Sequence, residues 1–195
     1  SILFVANCGK PYLARSKFAS PINSEKSSNS MNYLRAHCEG TQAGRNQNGE
    51  IKINQDNYLV KTQINNITGF NLFGILDGHG SDGHFVSNFA SNFIINETTN
   101  YAESLRNKGI TKVDDIYYQL KKEDFATIKN IYKMVDEALK NQQQFDAELS
   151  GTTCNIVFQL GKHLVCASVG DSRGILVYDN NNSNMNTSNI FNLSY

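Results

Sequence analysis

Hydrophobic and polar positions along the chain follow two different periods, and each period predicts a different kind of element. Residues Phe70–Leu76 form an almost continuous apolar run, which predicts a strand buried on both faces. Directly after it, apolar residues at steps of three and four predict one apolar face of a helix. These residues are Phe85, Val86, Phe89, Phe93 and Ile94. Ser81 or Asp82 is a suitable N-cap, and Asn96–Asn100 weakens the helix near its end.

A second helix is predicted from Phe125 onward. Apolar residues recur at steps of three and four as far as Leu139, and the apolar seam continues to Phe145 with polar residues on the opposite side. Asp124 favours the first turn of this helix through the helix dipole. Residues 107–122 are mixed and predict no element. Both helices are expected to lie against a sheet.

Three strands are predicted at Thr153–Leu160, His163–Val169 and Gly174–Tyr178. The joints between them, Gly161-Lys162 and Gly170–Arg173, both have hairpin chemistry. Strands joined by such short turns are antiparallel neighbours, which is typical of one sheet stacked on another. Ile2–Ala6 is a candidate edge strand, and Met31–His37 is a candidate start of a further strand.

The chain divides into a lead-in and one domain. Residues 1–40 carry little pattern, whereas residues 41–195 are assigned to a single domain. The Asn/Ser-rich stretch 180–189 is interpreted as a loop inside that domain rather than a tail. A length of 195 residues is enough for one domain with a sizeable core.

Composition excludes several classes of partner. The formal net charge is zero, so no general attraction to nucleic acid or to an acidic membrane surface is expected. No apolar run approaches the roughly 18 residues of a membrane span. The four cysteines are scattered without C-x-x-C spacing, which favours an intracellular, most simply cytoplasmic, location. Cys154 and Cys166 are expected to be small buried hydrophobic residues.

The strongest candidate for chemistry is the D-G-H-G sequence that ends the buried strand. Asp77 and His79 are suited to holding a metal ion and delivering a proton. Gly78 and Gly80 let the backbone turn sharply and approach a ligand. A plainer interpretation is a polar turn in which Asp77 caps the next helix and His79 is exposed.

Three further polar residues gain meaning only in combination. Asp56, in N-Q-D-N, is by itself typical of a turn. Arg45 could grip a phosphate through two hydrogen bonds, although a solvated loop arginine is the ordinary alternative. Asp171, in G-D-S-R, is predicted at the tip of a hairpin, where a simple turn is the plainer interpretation.

In their order along the chain, these pieces resemble one family. N-Q-D is followed by G-I-L-D-G-H-G-x-x-G-H-x-V-S-x-F, then by S-G-T-T, then by A-S-V-G-D-S-R-G. Over about residues 41–179 this combination is similar to the metal-dependent protein serine/threonine phosphatases of the PP2C (PPM) type. The resemblance implies an α+β fold, a four-layer α/β/β/α sandwich of two antiparallel sheets flanked by helices.

The resemblance also implies roles for individual residues. Asp77 matches the aspartate that bridges two divalent metals, and Gly78 the residue that lends one of them a backbone carbonyl. Asp56 matches an acidic residue bound through metal-held water. His79 matches the proposed general acid that protonates the leaving oxygen. Asp171 matches the aspartate associated with an additional, weaker metal.

Two positions depart from the family pattern. The family often has an acidic pair where this chain has Gln55 and Asp56, and Gln55 can hydrogen-bond a metal water but adds no charge. The family's phosphate-binding arginine usually lies where this chain has Ile51. Arg45 is therefore only a candidate for that role, reached by a longer loop.

The implied activity is hydrolysis of phosphoserine and phosphothreonine in proteins by a water that bridges two Mg²⁺ or Mn²⁺ ions. Two divalent ions about 3.5–4 Å apart neutralise the phosphate charge and lower the pKa of the shared water. Oxygen ligands with several retained waters suit Mg²⁺ or Mn²⁺ rather than zinc. The implied partners are phosphoprotein substrates, and membership of a larger protein assembly is left open.

The chain ends at Tyr195 with I-F-N-L-S-Y, which resembles the strand just before the family's D-H-x-P segment and so precedes two further metal-binding aspartates of the family. We therefore expect these residues to be the N-terminal part of a phosphatase domain, inactive on their own. A pseudophosphatase or scaffold subunit that keeps the fold without turnover is the alternative from another class. An unrelated sandwich with coincidental turns is the third interpretation.

Overall fold

A computed structural model describes residues 3–7, 34, 37–179 and 188–194. Its elements in chain order are β1 (Leu3–Asn7), β2 (Asp56–Lys61), β3 (Phe70–His79), α1 (Gly83–Asn107), α2 (Val113–Lys122), α3 (Ala126–Asn141), β4 (Gly151–Thr152), β5 (Cys154–Leu160), β6 (His163–Val169), β7 (Arg173–Asp179) and β8 (Ser188–Asn192). Most of the candidate strand Met31–His37 and of the predicted loop 180–189 lies outside the described residues.

The strands form two antiparallel sheets, as the sequence predicted. One sheet has the order β2-β3-β5-β6, with the short β4 paired to the end of β3. The other has the order β1-β7-β8. The buried strand predicted at Phe70–Leu76 becomes β3, which occupies a central position and continues to His79. The α+β fold class with two antiparallel sheets is confirmed.

The two faces of β3 meet different layers, because side chains alternate along a strand. Leu72 and Leu76 are buried in the main core together with the buried faces of the helices. The opposite face meets the second sheet: Asn155, the register partner of Ile75, donates its side-chain amide to the Ser172 carbonyl at the start of β7. A helical layer and two stacked sheets are thus built around β3.

One of the two predicted hairpins is wrong. Gly161-Lys162 does connect β5 and β6 as antiparallel neighbours. Gly170–Arg173, however, carries the chain from β6 into the other sheet, where β7 pairs with β1 and β8. Turn chemistry does not reveal which strand a segment will pair with, so the crossover was invisible in the sequence. Asp171 therefore lies on a connection between the two sheets rather than at a hairpin tip.

Helix α1 is longer than predicted. It runs without a break through Asn96–Asn100 to Asn107. Thr98, Ala102 and Leu105 are fully buried along this second half. Packing of that face offsets the weak helix propensity of the Asn and Thr residues.

The core-facing side of α1 also differs from the prediction. Val86, Ala90 and Ile94 are its buried stripe, whereas Phe85 is 49% exposed. Phe89 and Phe145 are half-buried and their rings lie 6.0 Å apart. The aromatic residues therefore form a second stripe beside the buried one.

The predictions for α2 and α3 had different outcomes. α2 was not predicted, because a helix of 10 residues shows only three buried apolar positions, Val113, Ile116 and Leu120. α3 confirms the second predicted helix, but it ends at Asn141 and does not reach Phe145. Asp124 lies before its first turn in a left-handed conformation, with φ of 50°.

Candidate functional site

Asp56 and Asp77 are brought face to face by strand pairing. They are register partners at the ends of β2 and β3. Residues directly opposite in an antiparallel pair have Cβ atoms about 4.5–5.5 Å apart. Burial raises the pKa of Asp56, and the charge of Asp77 and a hydrogen bond with its carboxyl raise it further. Asp77 shares the face of Ile75, so the pair lies on the side of the sheet that meets the second sheet.

This arrangement rules out the interpretation in which Asp77 caps the next helix. The residue lies inside β3 and does not cap the next helix, whose N-cap is Asp82. Asp82 was one of the two predicted caps, yet its carboxylate accepts the backbone N–H of Asp146 at 2.8 Å instead of a helix N–H. The Asp77 carboxylate therefore does not cap α1.

Gln55 fixes the turn that follows Asp77. Its side-chain Nε2 donates to the Gly80 carbonyl at 2.7 Å. Its own carbonyl accepts the Gly78 N–H at 3.2 Å and the Ser87 hydroxyl at 2.7 Å. One residue thus joins β2 to the turn and to the start of α1. Sequence reasoning considered only its lack of charge and missed this structural role.

The glycines of the turn have no room for side chains. A Cβ at Gly78 would lie 2.5 Å from the Gln55 carbonyl oxygen. Gly80 has φ of +87°, and a Cβ there would lie 2.5 Å from the Leu149 carbonyl oxygen. Gly78 is buried and pairs with Thr152 of β4. The D-G-H-G turn is therefore packed between β2 on one side and the loop before β4 on the other.

His79 is the last residue of β3 and is exposed. It pairs with Gly151 of β4, and a Cβ on Gly151 would lie 2.7 Å from the His79 Nε2. The imidazole therefore lies directly over Gly151. Its exposure allows exchange of a proton with solvent.

Asp171 is exposed on the crossover, and the residue after it, Ser172, is linked to Asp77 through Thr153. The Thr153 hydroxyl accepts the Asp77 N–H at 2.9 Å and lies 2.6 Å from the Ser172 hydroxyl. The Thr153 N–H in turn donates to the Asp77 carbonyl. Thr153 and Ser172 were not predicted as site residues, although both belong to the quoted motifs S-G-T-T and G-D-S-R.

Arg45 lies in a small loop ahead of β2. It forms an isolated antiparallel bridge with Ile51, the position where the family arginine was expected. Its guanidinium donates to the Gly49 carbonyl at 2.6 Å. Within the described residues, these partners of Arg45 all belong to its own loop. The structure thus brings Asp56 and Asp77 together and connects Ser172, the neighbour of Asp171, to Asp77 through Thr153. The hydrogen bond of the Arg45 guanidinium stays within its own loop.

The carboxylate pair fits a hard divalent cation. In the described part of the chain, no three His, Cys, Asp or Glu side chains form a group that could hold a metal ion. Two opposed carboxylates nevertheless suit the coordination of Mg²⁺, which binds one or two protein carboxylates and keeps several waters. A cation between them would also relieve the mutual repulsion that raises the pKa of Asp56.

The chain matches one known protein family over most of its length. The family model described as Protein phosphatase 2C matches residues 39–189, which is well over half of the chain. The chain therefore belongs to the protein phosphatase 2C family, and the resemblance found in the sequence is confirmed.

Individual relatives agree with this assignment. Probable protein phosphatase 2C 34 and probable protein phosphatase 2C 35, both from Arabidopsis thaliana, are 32% and 28% identical to this chain over 129 and 142 residues. Probable protein phosphatase 2C 64 from Oryza sativa subsp. japonica is 31% identical over 130 residues. These matches cover 66%, 73% and 67% of this chain but 36%, 36% and 28% of the relatives. The chain thus spans about a third of the length of the curated relatives it matches.

None of the helices in the described residues combines the length and the apolar character that crossing a bilayer demands.

Proposed function

We propose that the protein hydrolyses phosphoserine and phosphothreonine in proteins with the help of two Mg²⁺ or Mn²⁺ ions. The observation that carries this proposal is the pairing of Asp56 with Asp77 at the end of β3 in a member of the protein phosphatase 2C family. Two carboxylates that repel each other at a strand end are favourable for a bound cation and unfavourable without one.

Asp77 and Asp56 would hold the two metal ions, with the Gly78 carbonyl as a further ligand and Asp171 at an additional, weaker site. Bound divalent ions neutralise a phosphate dianion and make a water nucleophilic near neutral pH. The chain's own contribution is to fix these oxygens: Gln55 holds the turn after Asp77, and Thr153 holds its backbone. A loose transition state for phosphoryl transfer makes such positioning the main task of the protein.

His79 is the proposed proton donor to the leaving oxygen of the substrate. Its imidazole lies over Gly151, at the end of the strand that carries Asp77. A serine or threonine alkoxide is a poor leaving group, so a proton delivered in the transition state accelerates the reaction. The ring packs against the neighbouring strand β4.

Arg45 is the proposed phosphate ligand. A guanidinium has five N–H donors, so its bond to the Gly49 carbonyl leaves other donors available for a phosphate. The bridge to Ile51 places Arg45 beside the position of the family arginine. Arg45→Ala should then raise KM for phosphopeptides more than it lowers kcat.

The three cysteines of the described residues, Cys38, Cys154 and Cys166, are free thiols. Cys154 is buried and Cys166 partly buried, in line with the expectation that they serve as small hydrophobic residues. An intracellular, most simply cytoplasmic, location stays part of the proposal, on the scattered cysteine spacing of the sequence.

The decisive test replaces Asp77 by Asn in the full-length protein and measures Mn²⁺-dependent release of phosphate from a phosphothreonine peptide. Activity should be lost while the circular dichroism spectrum is kept. Asp115→Asn, an exposed carboxylate on α2, is the matched control and should retain activity. Full turnover by the Asp77 variant would end its assignment as metal ligand. A wild-type protein that is folded but inactive would favour the scaffold alternative.

A further inference from the structure

Two exposed apolar side chains flank the D-G-H-G turn. Phe85, in the first turn of α1, is 49% exposed, and Leu149, just before β4, is 79% exposed. A single exposed apolar residue is ordinary on a protein surface. These two, however, belong to the segments that pack directly on either side of the proposed catalytic turn.

Phe85 is held in place by its neighbours. Its ring centroid lies 4.0 Å from that of His84 and 5.9 Å from that of Phe145, with which it is stacked. Phe145 also contacts Phe89 edge-on, so the ring of Phe85 is the exposed end of an aromatic row. An aromatic ring that is already ordered loses little conformational freedom when a ligand covers it.

Leu149 is presented by a fixed loop rather than a loose one. Its carbonyl packs against Gly80, and the next residue, Ser150, accepts the backbone N–H of Asp82 at 3.0 Å. The Asp146 carboxylate accepts the N–H groups of Glu148 and Leu149 at 2.9 and 3.1 Å. Hydrogen bonds and packing therefore fix the backbone at Leu149, while its side chain is exposed to solvent.

We propose that Phe85 and Leu149 form a docking surface for an apolar residue of the substrate, adjacent to the phosphorylated one. This proposal rests on the proposed function and adds a substrate preference to it. Gly151, over which the His79 imidazole lies, is only two residues beyond Leu149. The loop that carries Leu149 therefore adjoins the proposed proton donor His79.

The charge around the surface indicates what else the substrate segment carries. Asp146 and Glu148 are exposed, and residues 81–105 and 141–161 contain no Lys or Arg. A segment with a basic residue close to the apolar one is complementary to this loop. The preferred substrate is thus a phosphopeptide with an apolar neighbour and a nearby Lys or Arg.

The experiment compares kcat/KM of the full-length wild-type protein for phosphothreonine peptides that differ at one position. Leu is placed before or after the phosphothreonine, and Ser stands at both positions in the reference peptide. At least one Leu peptide should be preferred by about tenfold, the range expected for an apolar contact. In Leu149→Ser the preference should fall toward one. Tyr118→Ser, which removes an exposed apolar side chain on α2, is the control and should keep it.

Failure of the docking surface and failure of the proposed function give different results. Turnover of p-nitrophenyl phosphate together with equal kcat/KM for all peptides would leave the phosphatase assignment intact and overturn the docking surface. The same conclusion follows if Leu149→Ser and Phe85→Ser both keep the wild-type preference. No Mn²⁺-dependent turnover of any substrate would overturn both proposals.

A charge reversal tests the second half of the preference. Glu148→Lys should abolish the preference for a phosphopeptide with Lys near the phosphothreonine over one without it. In the wild type this preference should weaken as salt is added. An unchanged preference for the Lys peptide in this variant would show that the acidic loop does not contribute to substrate recognition.

Discussion

The hydroxyl oxygens of Thr153 and Ser172 lie 2.6 Å apart and join the two sheets beside the candidate site. Thr153 also exchanges two hydrogen bonds with the backbone of Asp77. Ser172 is buried and directly follows Asp171 on the crossover. Thr153 therefore holds both the backbone of Asp77 and the side chain of the residue that follows Asp171.

Thr153→Val should weaken both the fold and the site. The substitution keeps the shape but leaves the Asp77 N–H and the Ser172 hydroxyl without this partner, at a cost of about 1–3 kcal/mol. A loss of 1 kcal/mol lowers Tm by about 2–4 °C in a domain of this size. Thermal unfolding followed by circular dichroism measures the change. Thr111→Val, at an exposed position, should shift Tm by much less. Equal shifts in the two variants would contradict the linking role of Thr153.

Asp56→Asn should stabilise the protein when metal is removed with EDTA. The folded-state pKa of Asp56 is raised above its ordinary value of 3.8, so its stabilising contribution is complete below that value and is lost as pH rises through the folded-state pKa. At neutral pH the Asp56 charge therefore opposes folding. Because the residue is only partly buried, water limits the gain to less than about 1 kcal/mol.

Thermal melts of the wild type and of Asp56→Asn between mildly acidic and neutral pH test this prediction. The wild type should lose stability relative to the variant as pH rises, and the two should converge in acid. Added Mn²⁺ should then raise the Tm of the wild type more than that of Asp56→Asn, because the variant holds the ion less tightly. A variant that is less stable than the wild type at neutral pH without metal would mean that the two carboxylates do not repel each other.

The sequence was sufficient for the features that depend on local pattern. An apolar run predicted β3, and a seam of apolar residues from Phe125 predicted α3. Both patterns are strong because the residues concerned are buried on a fixed period. Asp77 as a candidate metal ligand also follows from local pattern, a carboxylate directly after a buried apolar run, and it stays a prediction.

Features that depend on pairing between distant segments could not be predicted from the sequence. The joint at Gly170–Arg173 has the residues of a hairpin, and only competition between partner strands sends β7 to the other sheet. The role of Gln55 was missed for the same reason, since its partner Gly80 is 25 residues away. The periodicity places Phe85 on the apolar face of α1, because aromatic and aliphatic residues are equivalent in such an argument, yet its ring is 49% exposed.

Gln55→Glu should disturb the turn, although it restores the acidic pair that the family often has. At neutral pH the new carboxylate cannot donate to the Gly80 carbonyl, and two acceptors would face each other where a 2.7 Å hydrogen bond now stands. We expect a loss of about 1–3 kcal/mol in the free energy of unfolding, measured in urea. The loss should shrink in acid, where a protonated Glu can donate again. Gln47→Glu, in an exposed loop, is the control. Unchanged stability of Gln55→Glu would show that the hydrogen bond to Gly80 is dispensable.

Gly151→Ala should impair catalysis more than folding. The added Cβ would lie 2.7 Å from the His79 Nε2, so the exposed ring must swing away toward solvent. Phosphothreonine peptides should lose up to about 10²–10⁴ in kcat, the range of general acid catalysis. p-Nitrophenyl phosphate should be affected far less, because its leaving phenolate needs little protonation. Gly40→Ala, with no atom within 4 Å of the new Cβ, is the control. A further loss on adding Gly151→Ala to His79→Ala would show that Gly151 acts other than by positioning the imidazole.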